Sequence, residues 1–489
     1  MELKGYHYLI LGLLLAFAFF STYSETHLEY PFPYHHDEWQ HLGISMQAME
    51  EGYNKVYNPF LGAPGWHADL ESGFHLFLAN IFLMTGLNPV LSYQYLAAIF
   101  AVITGFVIFL CVYRLTGKFY AGILALIVFI SLKSNVNILG KSYFVPMTMA
   151  MPFIFLFILF FLTSLKEKSH KKFLFSFVLL FLIFLIHPPS AIILGIPVLV
   201  EILFNIGFME KIYEKFRFFF LALPFFALLV FLLLWKGEWQ ATLGYFSDLL
   251  VFEQGWGKIE IAYFLPALYG WAATLFAVYG FVVANKMKLR FFMIFAFVSI
   301  GMTAFFNIFG FAVVIPYSRA IHYSMLSLLP LTALGVLSAL QLVYRKIENN
   351  DALQTLACFV FLLIVVSSSY TLDTQYKTYG QLPLDRQDYN ALIWIKETYG
   401  SDNVLVTPYF MTSAVYPVSG SKAISLIPSQ MGGGLIEENL NFYTYTCDKQ
   451  EEIAGQANAS LVLSKLPIEC SFLEQVYSRG DFVYSVRTI

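Results

Sequence analysis

The chain has 489 residues, of which 58% are hydrophobic and only 12% charged, with a formal net charge of -3. A soluble globular domain carries about 25% charged side chains, so the solvent for most of this sequence has to be lipid. The near-neutral balance excludes nucleic acid as a partner, because binding it requires a polybasic surface.

Apolar stretches of transmembrane length, about 20 residues with shorter cases near 15, fall near 8–22, 89–113, 119–134, 143–165, 171–187 and 190–206. Five more lie near 217–235, 262–284, 290–310, 318–343 and 352–370. The first lacks a small-residue cleavage site and runs into the aromatic, acidic stretch Tyr30 to Trp39, so it reads as a retained helix and not as a signal peptide. The expected fold class is therefore an α-helical polytopic membrane protein of about 11 transmembrane helices.

The apolar segment Phe74 to Gly86 is too short for a regular span, and counting it as one would invert everything after it. With it excluded, fifteen Lys and Arg residues collect on one side of the membrane, against Lys55, Lys133, Lys141, Lys236, Lys258 and Arg319 on the other. That positive-inside bias predicts an interfacial or re-entrant helix over 74–86, a cytoplasmic N-terminus and a C-terminus outside, in the plasma membrane.

Residues 1–370 thus form a membrane domain with a long first outer loop at 23–88, and 371–489 a small extracytoplasmic α/β domain. In the tail, Leu392, Ile395 and Tyr399 repeat at helical spacing, while 404–408 and 460–466 read as short buried strands. The end of the chain reads as a strand pair joined around Arg479 to Asp481, and Asn458-Ala459-Ser460 matches a glycosylation sequon, a triplet common by chance. Cys111 and Cys358 sit in apolar runs, whereas Cys447 and Cys470 lie in the polar tail. The latter two either pair in an oxidising compartment or are unrelated thiols.

The first outer loop concentrates the polar chemistry. Tyr34 to His41 places Asp37 and Glu38 among His35, His36 and His41, and a second group, His67, Asp69, Glu71 and His75, follows. Trp39, Leu42, Met46 and Met49 share one helical face, which predicts an amphipathic helix along the membrane surface with Asp37 at its N-cap and Gln40 three residues on. Asp37 either caps that helix, accepts a proton, or does both. Imidazoles and carboxylates also suit a divalent metal ion, although no HExxH spacing is present.

A retained first helix, an outer loop with Asp37-Glu38 leading into a surface helix, a second surface helix, and a long span ending in Tyr113-Arg114-Leu115-Thr116-Gly117-Lys118 together resemble the C-class superfamily of membrane glycosyltransferases (GT-C). Protein O-mannosyltransferases and lipid A aminoarabinose transferases belong to it. The Trp-Trp-Asp type motif of oligosaccharyltransferases is not evident, Gly255-Trp256-Gly257 being no match, which argues against that branch.

The resemblance implies transfer of a sugar from a polyprenyl-phosphate donor to a protein, lipid or glycan acceptor outside the cytoplasm. It makes Asp37 the general base, with Glu38 orienting the acceptor, binding an ion or raising the pKa of Asp37. Lys141, Arg319 and His322 are the candidates for the donor phosphate, Lys141 because it resembles the basic residue of that loop in related transferases. His36, His67, Asp69, Glu71, Tyr143 and His187 are candidates for substrate contacts, although His187-Pro188-Pro189-Ser190 also reads as a tight turn. Tyr263, Tyr317 and Tyr323 either stack on a sugar or polyprenyl chain or form the interfacial belt. A divalent metal ion is the one cofactor that the loop's imidazoles and carboxylates suit. A transporter or flippase, or a noncatalytic glycolipid-binding protein, are the rival classes.

Overall fold

The computed structural model describes residues 4–52, 57–64, 71–132, 134, 138–212, 214, 251–252, 261–287, 289–346, 360, 363, 383–427 and 433–487. The span expected near 217–235, nearly all of that near 352–370, the boundary at 370/371, and His67 and Asp69 lie outside the described residues. The chain divides into two compact units, Met1–Glu25 with Ala97–Thr378 and Thr26–Leu96 with Tyr379–Ile489. Most of the first outer loop is thus grouped with the tail.

The first unit is helical, and the protein is a polytopic α-helical membrane protein. Among the described residues, five helices are long and apolar enough to cross a bilayer: Gly5–Thr26, Pro89–Thr116, Pro146–Glu167, Arg290–Phe309 and Tyr317–Arg345. The pair Pro188–Leu203 and Ile206–Ile212, bent by 99°, makes a sixth if counted as one span. Phe119–Ser131 and His170–Ile186 are helical but shorter. The stretch near 262–284 is broken at Gly270, whose φ of +98° separates Ile261–Tyr269 from Trp271–Lys286.

With no hydrophobic drive between helices in lipid, small residues that admit close backbone contact do the packing. A methyl group on Gly280 would lie 1.8 Å from the Leu331 carbonyl oxygen, and one on Gly335 would lie 1.9 Å from that of Phe276. The helices Trp271–Lys286 and Tyr317–Lys346 therefore meet backbone to backbone. Beside that crossing, the Tyr269 hydroxyl and Thr332 Oγ1 are 2.7 Å apart. At Arg290, the start of another helix, the guanidinium donates to both Glu201 oxygens, at 2.8 and 3.0 Å.

The second unit holds a mixed five-stranded sheet in the order Leu473–Arg479, Asp481–Val486, Leu461–Ser464, Val404–Val406, Lys422–Ala423. The first three strands are antiparallel and the last two pairings parallel. Gly480, with φ of +95°, turns the terminal hairpin. Val406, Ile424, Phe442, Ile453, Val462 and Tyr484 form the core under this sheet. A disulfide joins Cys447 to Cys470.

The outer-loop helix His36–Glu51 does not behave as a one-faced surface helix. Trp39 and Leu42 are sealed, but so are Gly43, Ile44, Ser45 and Gln47, because Ser72–Thr85 packs on one side and the tail helix Thr412–Ser419 on another. Gly43 permits this enclosure: a methyl there would meet the Phe60 ring at 2.4 Å. Phe60 in turn accepts a backbone hydrogen bond of 2.8 Å from Ala423 in the sheet. The Ser72–Thr85 helix buries Phe74, His75, Leu78 and Phe82 while exposing Leu76, Leu83 and Met84. Such an apolar outer face suits a helix lying at a bilayer surface.

Candidate active site

The acidic segment begins with a cap different from the expected one. His35, in extended conformation at φ of -117°, is the N-cap, and its Nδ1 accepts the Asp37 N–H at 3.1 Å. Glu38 closes the capping box, its Oε2 accepting the N–H groups of Tyr34 and His35 at 2.8 and 3.0 Å. Asp37 and Gln40 are therefore not the capping pair. The consequence is a division of labour: Glu38 is sealed and holds the helix start, whereas the Asp37 side chain stays 34% exposed, its Oδ2 3.8 Å from His35 Nδ1.

His36 turns the other way and lies 3.0 Å through Nδ1 from the Ser413 hydroxyl of the tail. Burial pushes its pKa down to about 4, with the neighbouring His35 acting in the same direction, so the ring is neutral at physiological pH. A second pair forms between the two outer-loop helices, His41 Nδ1 and His75 Nε2 being 2.9 Å apart and Glu71 Oε2 3.9 Å from His41 Nδ1.

In the membrane unit, the cationic candidates gather around one turn. Leu139 and Gly140 adopt φ of 62° and 81°, reversing the chain before Lys141. Lys141 is buried and donates to the Ile130 carbonyl at 2.6 Å, with Glu25 Oε2 at 4.0 Å. Glu25 also accepts from Ser142 Oγ at 2.5 Å. Arg319 donates to the Ile138 carbonyl at 3.2 Å. His322 is buried with neither ring nitrogen hydrogen-bonded among the described residues, and a methyl on Gly140 would sit 3.6 Å from its Nδ1. Tyr143 is buried next to the turn. His187, at the start of the Pro188–Leu203 helix, lies 2.8 Å from the Ser190 hydroxyl and 3.1 Å from that of Tyr323, the residue after His322.

Two groups escaped the sequence reading. Glu25 ends the first helix as a carboxylate beside Lys141, and its position at the edge of an apolar span was the available signal. The other is a tail cluster: Asp385, Asp388 and Asp481 present oxygens all within 4.8 Å of one another and could coordinate a divalent metal ion. The Lys465 ammonium already sits among them, 2.8 Å from Asp385, 3.5 Å from Asp481 and in contact with Asp388. Burial, aided by Asp481, raises the Asp388 carboxyl to about 7. Any metal there has to displace a lysine.

No family model and no curated protein matches the chain. Solved structures do: an Archaeoglobus fulgidus oligosaccharyltransferase tethered to an acceptor peptide with an NVT sequon is similar at TM-score 0.64 and 14% identity, over 94% of this chain and 69% of that one. The chain has the fold of an oligosaccharyltransferase. AglB from the same organism, in complex with an inhibitory peptide and a dolichol-phosphate, gives 0.61 at 14% identity with the same coverage. A complex of the A. fulgidus enzyme with Zn and sulfate gives 0.51 at 13%, over 92% and 68%. At such identity the likeness speaks for the fold alone. The neighbours belong to the branch whose Trp-Trp-Asp motif the sequence lacks, and Gly255-Trp256-Gly257 lies outside the described residues.

Proposed function

We propose that this protein transfers a sugar from a polyprenyl-phosphate carrier to an acceptor hydroxyl outside the cytoplasm. The observation that supports this most is the gathering of Lys141, Arg319 and His322, distant in sequence, around the turn at 138–142. Ionisable groups in an apolar helical unit are costly and mark a function that uses their charge. A departing lipid phosphate is such a use, because its developing charge needs donors fixed in advance.

At the other end of the reaction, Asp37 takes the proton of the acceptor hydroxyl as that oxygen bonds to the anomeric carbon. The bond from that carbon to the phosphate oxygen breaks, and its electron pair leaves with the polyprenyl phosphate. Lys141 and Arg319 compensate the charge. Glu38 keeps the Asp37 backbone in place, while His36 and Ser413 offer a neutral hydrogen-bonding couple to the acceptor. On the positive-inside argument the acidic segment and tail lie outside the plasma membrane and the N-terminus in the cytoplasm.

The test uses the full chain in lipid nanodiscs with a panel of radiolabelled polyprenyl-phosphate hexoses. Release of polyprenyl phosphate coupled to labelled product supports transfer. Label that moves across the bilayer or stays bound, with no product, supports the flippase or binding reading instead. Lys141→Ala and Arg319→Ala should weaken donor use more than acceptor binding, and equal loss on both would remove the phosphate assignment.

A further inference from the structure

We propose that Glu25 is a specificity-determining residue of the donor site: its carboxylate sets the cationic turn to hold a lipid phosphodiester and to let go of the phosphomonoester that transfer leaves behind. The proposal rests on the transfer reading above, and three observations carry it. First, Glu25 is the last residue but one of the helix Gly5–Thr26, where the helix dipole presents its negative end and favours a cation. An acid in that turn runs against the local preference, so its place is set by what it faces. Second, it faces the turn that gathers the donor cations: its Oε2 accepts the Ser142 hydroxyl at 2.5 Å and lies 4.0 Å from the Lys141 ammonium. Third, at that distance its influence on the ammonium is electrostatic, since Lys141 donates to the Ile130 carbonyl at 2.6 Å. The Glu25 side chain is 23% exposed and that of Lys141 5%, so little water screens one charge from the other.

The two ends of the reaction differ in charge. A sugar–lipid phosphodiester carries a single negative charge. When the bond from the anomeric carbon breaks and its electron pair stays on the phosphate oxygen, the lipid becomes a monoester of charge about -1.5 to -2 near neutral pH. Lys141 and Arg319 alone would therefore grip the product more tightly than the donor and slow its departure. With Glu25 beside Lys141, the three side chains together carry one net positive charge, which matches the diester. The extra charge of the product meets a carboxylate.

Two sugar-free probes that differ by that charge test the idea on the full chain in lipid nanodiscs at pH 8: a short-chain prenyl phosphate and its methyl diester, each titrated calorimetrically. The wild type should bind the diester at least as tightly as the more highly charged monoester. Glu25→Gln keeps an acceptor for Ser142 and removes only the charge. Because Coulomb energy scales with the charge of the ligand, it should tighten the monoester by about 10-fold and the diester by about 3-fold. Glu25→Asp should keep the wild-type order.

Should Glu25→Gln fail to fold, the wild-type order alone decides. No binding of either probe to the wild type would overturn the phosphate site and the proposal with it. Equal factors for the two probes in Glu25→Gln, or a wild type that prefers the monoester by about 10-fold, would leave the phosphate site standing and overturn the role of Glu25.

Discussion

The helices His36–Glu51 and Arg386–Tyr399 start alike. In each, an acidic residue three positions into the helix reaches back to the N-cap N–H: Glu38 to His35 at 3.0 Å and Asp388 to Asp385 at 2.7 Å. They differ in what surrounds the box. At the second, Asp388 and Asp481 are buried about the Lys465 ammonium, and the acids hold the sheet hairpin to the helix. At the first, the extra carboxylate of Asp37 keeps a third of its surface exposed, beside histidines and not beneath a lysine cage. Acid density alone thus does not distinguish a structural clasp from a reactive group. Exposure and the identity of the enclosed cation do.

The largest expected effect would break that contrast outright. Asp37→Asn should lower turnover by about 100-fold or more, the range over which general base catalysis operates, while Asp388→Asn leaves turnover near wild type. Equal activity in the two variants, measured as polyprenyl phosphate released in nanodiscs, would remove Asp37 as the base.

Next is the clasp itself. Lys465→Met leaves buried carboxylates without their cation, which typically costs about 3–5 kcal/mol. Hydrogen exchange of the full-length protein should speed up in peptides spanning 386–399 and 481–486, with little change in the helices of the membrane unit. Uniform protection would mean that Lys465 is not what holds the tail together.

Glu38 sharpens the comparison from the other side. Glu38→Ala strips two N–H groups of their acceptor and should cost about 1–2 kcal/mol, the usual loss for a cap. Glu38→Gln keeps an acceptor oxygen and should recover most of that stability. A Gln variant as inactive as Asp37→Asn, yet fully stable in a melting experiment, would give Glu38 a chemical role of its own.

Some of this was legible in the sequence because local rules decide it. The period of Leu392 and Ile395, both fully buried in the helix, and the strands at 404–406 and 461–464 follow from spacing that a short window contains. The hairpin turn follows from a glycine that tolerates φ of +95°. What stayed hidden depends on distant partners. Asp37 is a better cap by preference than histidine, yet His35 takes the position because Glu38 completes the box from inside the fold. The helix looked one-faced because the tail helix that packs against it lies more than 360 residues further along. Lys465 and Glu25 are single charges whose partners only the fold supplies.

The smallest effect concerns pH, through the His36–Ser413 contact that ties the acidic segment to the tail helix. Burial lowers the folded His36 pKa to about 4, below the 6.5 of an unfolded histidine. Between those values the unfolded chain binds the proton and the folded one does not, so stability falls as the solution is acidified. The contribution is fully present above pH 6.5, and what is lost on going to pH 5.5 is roughly 1 kcal/mol. His36→Gln can keep a hydrogen bond to Ser413 but cannot titrate. Its melting temperature should therefore fall less than that of the wild type between pH 7 and 5.5, whereas an identical fall in both would mean that His36 is not the group that senses acid.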